Sequence, residues 1–78
     1  MDKIPTTAAN LADAASKMAT SRVDFLATLE AWLDLGKQQG AHKEYQAGLK
    51  QVLEVARKAG SVQQAMLRIN EQRQQPLP

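Results

Sequence analysis

A chain of 78 residues with no cysteine and a formal net charge of only +2 is one domain at most, near the size at which a single apolar core barely offsets chain entropy. Neither a disulfide framework nor a thiolate zinc site can staple it, so a reducing compartment suits it and packing alone must hold it together. No stretch approaches the roughly 18 to 20 uncharged apolar residues of a membrane span, and the opening Met-Asp-Lys-Ile-Pro lacks the apolar core of a signal peptide. We therefore expect a cytoplasmic protein that does not engage a membrane.

Phe25, Trp32 and Tyr45 are the only aromatics, whereas Ala, Leu and Gln are abundant, a mixture that favours helix over sheet. The expected fold is all-α, a compact bundle of three or four short helices near 7–20, 22–36, 42–59 and 62–73. Residues 6–73 would form the one helical domain, with 1–5 an N-terminal tail and 74–78 a disordered C-terminal tail. No internal repeat is visible.

Taking the elements in order, Pro5-Thr6-Thr7 places a proline and two hydroxyls before Ala8, so a helix should begin near Thr7 with a hydroxyl accepting from its first N–H groups. From there to Leu35 no Gly or Pro intervenes, and Leu11, Ala15, Met18, Phe25, Leu29, Trp32 and Leu33 recur at the spacing of one helical face. This stretch reads as one helix or two. Ser21 followed by Asp24 resembles a capping box and favours a break; a continuous helix would instead align Leu11, Met18, Phe25 and Trp32 along a coiled-coil-like seam.

Gly36-Lys37-Gln38-Gln39-Gly40 reads as a helix end and chain reversal. The next helix should run from His42 to Ala59 with Tyr45, Leu49, Val52, Leu53, Ala56 and Ala59 inward and a Glu54–Lys58 pair on its surface. Gly48 inside it either marks a close backbone approach or is simply tolerated at about 1 kcal/mol relative to alanine. Gly60-Ser61, with Gln64 at the capping-box position, stops this helix and starts the last, which would bury Val62, Ala65, Met66 and Ile69.

The inventory argues against catalysis. The sole histidine, His42, stands between Ala41 and Lys43 at a helix start, with no nucleophile beside it. Glu30 and Asp34 are the one close carboxylate pair, too few ligands for a metal site. Gly36, Gly40, Gly48 and Gly60 are too dispersed to cradle phosphate. We expect no enzyme activity, cofactor, metal or small-molecule substrate, and instead a small interaction or regulatory protein.

Two surfaces compete for that role. The segment 23–35 is the most hydrophobic in the chain, and its apolar residues cover more than one face, so Phe25, Leu29, Trp32 and Leu33 are candidate anchors for a protein partner or for a second copy in a dimer, unless they are ordinary core. The alternative is DNA. Charges divide unevenly, with three Lys or Arg against five Asp or Glu in residues 1–36 and seven against three in 37–78, which directs any nucleic acid to the second half. There, Ala56 and Gly60 stand as the crossing and turn residues of a helix-turn-helix do, so segment 51–70 resembles that general motif. It would present Gln63, Gln64 and Arg68 to base edges, with Arg57 and Lys58 near phosphates. The order Ser61-Val62 after the glycine departs from the usual pattern.

Overall fold

Ser21 ends the ambiguity over the first half of the chain. In the computed structural model, which describes residues 3–73, the backbone leaves the helix at Ala19 (φ −74°, ψ 141°) and Ser21 takes up an extended conformation. Its Oγ accepts from the Asp24 N–H at 3.1 Å, and Asp24 Oδ2 accepts from the Thr20 N–H at 3.0 Å. This is a capping box whose acid reaches one residue further back than usual. The result is two helices, α1 (Thr6–Met18) and α2 (Arg22–Gln38). The seven-residue seam is therefore broken, with Phe25 buried and Met18 67% exposed.

Two more helices, α3 (Lys43–Lys58) and α4 (Val62–Gln72), complete an all-α bundle, with four helices and no strand among the described residues. The radius of gyration, 11.7 Å, matches the approximately 11.5 Å of a compact chain of this length. None of these helices is long and apolar enough to cross a membrane.

Helix ends differ from expectation in three places. Pro5, not a threonine hydroxyl, occupies the N-cap of α1, and no side-chain hydrogen bond is made there; the fixed φ of proline suits the entry to a helix. Helix α2 continues through Gly36 to Gln38, and it is Gly40 (φ +70°) that turns the chain. Its N–H donates to Lys37 O at 3.3 Å and that of Ala41 to Gly36 O at 2.8 Å, the paired bonds of a Schellman motif. At α3, His42 serves as N-cap, its Nδ1 accepting from the Glu44 N–H at 3.2 Å. The start of α4 is built like that of α2: Ser61 Oγ accepts from Gln64 N–H, and Gln64 Oε1 accepts from Gly60 N–H, again one residue further back than usual.

Helix α3 packs against all three others. Its buried face, Gly48, Leu49, Val52, Leu53 and Ala56, meets the alanine face of α1 at Ala8, Ala9, Ala12 and Ala15. Gly48 is a site of close approach: a Cβ there would lie 3.0 Å from Pro5 Cγ and 3.1 Å from Ala8 Cβ. Phe25, Leu29, Leu33, Ala59, Ala65 and Ile69 complete the core with Ile4, and no polar or charged residue among those described is buried. Met66 and Val62, expected inward, are half-buried. The Glu54–Lys58 pair is not formed; the ion pairs among the described residues are Lys17–Asp13 (3.2 Å) and Arg57–Glu30 (2.7 Å).

Ile4, which the sequence placed in a tail, is fully buried. Its N–H donates to Gln72 O at 2.8 Å, it forms a parallel bridge with Arg73, and the Arg73 guanidinium donates to Asn10 Oδ1. An apolar side chain plus a backbone bond to α4 holds the segment where composition alone suggested none. The end of α4 is thereby tied to the start of α1. Residues 74–78 lie outside the described range.

The two hairpins, α1–α2 and α3–α4, are built alike although their sequences scarcely match. Ala19-Thr20-Ser21 and Ala59-Gly60-Ser61 have the same cap geometry, and Ala8, Ala9, Ala12, Phe25 and Leu29 occupy buried positions equivalent to Gly48, Leu49, Val52, Ala65 and Ile69. Side chains differ in size at four of these five positions, which is why no repeat shows in the sequence.

Candidate docking groove

Helix α2 carries more apolar side chains than one face can bury, and the fold divides them. Phe25 and Leu29 are completely buried and Leu33 is 7% exposed. These three, expected as partner anchors, are core, because they point between α1 and α3 where the small side chains of α1 leave room. Of the four candidates only Trp32 is half-buried, packed on the edge of the core. Leu35, one turn further, is 49% exposed.

Trp32 and Leu35 do not stand alone. Tyr45, in the first turn of α3, lies across α2 at Gly36, so close that a Cβ on Gly36 would be 2.8 Å from Tyr45 Cε2. The glycine therefore admits the ring. Trp32, Leu35, Gly36, Gln39 and Tyr45 together line an open groove of about 360 Å³. On the other side of Tyr45 a second concavity of about 370 Å³ is lined by Pro5, Thr7, Ala8 and Glu44, and His42 and Tyr45 border both. The whole is a shallow surface with Tyr45 as its central ridge, reaching from the start of α1 to the end of α2.

Its chemistry is that of recognition. Two aromatic rings and a leucine supply apolar area, and the Trp32 indole N–H, the Tyr45 hydroxyl, the Thr7 hydroxyl and the Gln39 amide supply hydrogen-bonding groups. Because His42 Nδ1 accepts from Glu44 N–H, the neutral ring carries its proton on Nε2 and can donate there. Among the described residues no three His, Asp or Glu side chains gather as metal ligands. Glu30, the candidate partner of Asp34, is engaged by Arg57 instead. Tyr45, expected inward, is half-buried, and His42 is exposed. The one signal in the sequence lay at Gly36, which read as a helix end and instead sits in the last turn of α2, where its missing Cβ admits the Tyr45 ring.

The proposed DNA-contacting residues are only partly brought together. Arg57 reaches back to Glu30, and Gln64 is occupied as the reciprocal cap of α4. Arg22 donates through Nε to Ala59 O (3.1 Å) and through Nη2 to Arg57 O (2.9 Å), closing the end of α3. Lys58, Gln63 and Arg68 are exposed, as is Leu67 at 63% on the same helix. Lys58 and Arg68 border a concavity between α3 and α4 that also contains Glu54.

Compared with protein-family models, with curated proteins and with solved structures, the chain matches none.

Proposed function

We propose that this chain is a small non-enzymatic interaction protein that binds a protein partner through the groove formed by Trp32, Leu35 and Tyr45. The observation that carries this reading is the half-exposed apolar surface of Trp32 and Leu35 set against the Tyr45 ring, after Phe25, Leu29 and Leu33 have filled the core. A bundle this small has little apolar area to spare, and clustered aromatics beside polar donors are the composition of interface hot spots.

The test is selection of binders from a randomised peptide display library on the immobilised full chain. Trp32→Ala and Leu35→Ser are expected to weaken the selected peptides, Trp32→Ala by about thirtyfold, the equivalent of the ~2 kcal/mol of a typical hot spot, with far-ultraviolet circular dichroism unchanged. Peptides that bind both variants as well as the parent would sink the proposal. A second copy of the chain is the other protein that could sit on this face, and sedimentation that stays monomeric at all concentrations would eliminate it.

A second reading, a DNA-binding regulator, draws on the three-residue turn Ala59-Gly60-Ser61 and on exposed Gln63, Lys58 and Arg68. It predicts duplex retention at low salt that Arg68→Ala reduces and that falls steeply as salt rises. With Arg57 paired to Glu30 and Gln64 capping α4, two of its five contacts already have partners on the surface, and we rank it second.

A further inference from the structure

His42 borders both concavities beside Tyr45, and the hydrogen bond that seats its ring can exist in only one of its two charge states. We infer that His42 makes the groove sensitive to pH: the neutral ring is docked on the N-terminus of α3 as part of the rim, and the protonated ring leaves it, weakening what the groove binds. This rests on the reading of the groove as a docking surface and adds how that surface is regulated.

The device is the helix cap. His42 Nδ1 accepts from the Glu44 N–H at 3.2 Å, using a lone pair that only the neutral imidazole has; the imidazolium carries protons on both nitrogens and can only donate. Its positive charge would also stand at the positive end of the dipole of a 16-residue helix. Both effects oppose a ring that is docked and charged. The cap bond is therefore present at higher pH and lost as pH falls through the range in which imidazole takes up its proton. In leaving, the ring yields the Glu44 N–H to water and vacates the rim that the two concavities share.

The surroundings leave this change to His42. Around it, Glu44 and Tyr45 of α3 are titratable, whereas the walls contributed by Pro5 and Thr7 at the start of α1, and by Trp32, Leu35 and Gln39 of α2, hold no ionisable group. Lys43, next in sequence, is exposed. The Glu44 carboxylate is the opposite charge that a protonated ring finds at this rim. The helix itself does not depend on the cap: Gln46 N–H donates to His42 O at 3.1 Å, and Gln46 Nε2 donates to Ala41 O at 2.7 Å. Neither bond involves the imidazole, so protonation alters the rim and leaves α3 folded.

The experiment is nuclear magnetic resonance of the isotope-labelled full chain, titrated from roughly pH 8 to roughly pH 5, the interval across which imidazole changes charge. At the upper end the imidazole nitrogens should report a bare Nδ1 and a protonated Nε2, with the Glu44 amide proton shifted downfield and protected from exchange. As His42 protonates, that amide should lose both features. His42→Asn supplies a capping oxygen that does not titrate and should hold the Glu44 amide constant across the range, while His42→Ala should show the acid-state signal at every pH. Glu44→Gln removes the neighbouring carboxylate and should keep the transition. Far-ultraviolet circular dichroism should be the same for all of them. Histidine-free peptides selected on the groove at the upper pH should bind the parent about fivefold more weakly at the lower, the equilibrium factor of one typical cap, and should bind His42→Asn equally at both. A Glu44 amide that stays fixed while His42 protonates, or that moves equally in His42→Asn, overturns the inference, as does a transition that disappears in Glu44→Gln. Peptide binding that depends on Trp32 but not on pH overturns the regulation alone. The amide signal needs no peptide, so the cap and the groove are read independently and the two proposals fail separately.

Discussion

Replacing Gly36 by alanine tests whether the groove depends on the seat of Tyr45. The new Cβ would lie 2.8 Å from Tyr45 Cε2, 3.4 Å from Tyr45 Cδ2 and 3.5 Å from Ala41 Cβ. Carbon atoms at rest sit about 3.5 to 4.0 Å apart, so the ring must withdraw by something under 1 Å. Tyr45 is half-buried and can swing toward solvent, which places the overpacking cost near the low end of about 1 to 3 kcal/mol. Alanine in a helix interior recovers about 1 kcal/mol over glycine. The two effects nearly cancel, and the melting temperature should move by no more than about 8 °C, the shift that 1 kcal/mol produces in a domain of this size. Binding of groove-selected peptides should nevertheless fall, because the ridge between the two concavities has moved. Thermal denaturation by circular dichroism and peptide titration on one sample read both quantities. A loss of stability beyond about 3 kcal/mol would mean that Tyr45 is locked as core, and unaltered peptide affinity would refute its place in the groove.

Phe25→Ala should cost about 3 to 5 kcal/mol, enough to unfold much of so small a domain, whereas Trp32→Ala should retain most helix content; chemical denaturation followed by circular dichroism distinguishes them, and equal losses would make Trp32 ordinary core. Ser61→Ala removes the acceptor for the Gln64 N–H and should lower stability by about 1 kcal/mol, measured as a shift in denaturant midpoint at constant slope. Ile4→Ala empties a fully buried site outside any helix and should destabilise by about 2 to 5 kcal/mol; amide exchange would speed up at the end of α4 as well as in α1, because Ile4 N–H is bonded to Gln72 O. Protection of α4 that remains unchanged would show that the terminal pairing contributes nothing.

The helix breaks were readable in advance because capping is local chemistry. Ser21 with Asp24, and Ser61 with Gln64, involve groups within a turn of one another, and no distant residue was needed to place them. The same holds for the absence of a membrane-length helix and for the all-α class. What the chain could not disclose on its own was the sorting of apolar residues into core and surface. Periodicity put Phe25, Leu29, Trp32, Leu33 and Leu35 around more than one arc of α2, and only the approach of α1 and α3 determined that the first two and Leu33 are enclosed while Trp32 and Leu35 border a groove. Likewise, nothing near Ile4 in sequence signals burial; its partners are Gln72 and Arg73, at the far end of the domain. Gly48 was visible as an anomaly in its helix, whereas Gly36 read as a helix end; what each makes room for, the start of α1 and a tyrosine ring, is a property of side chains that meet only after the helices have packed.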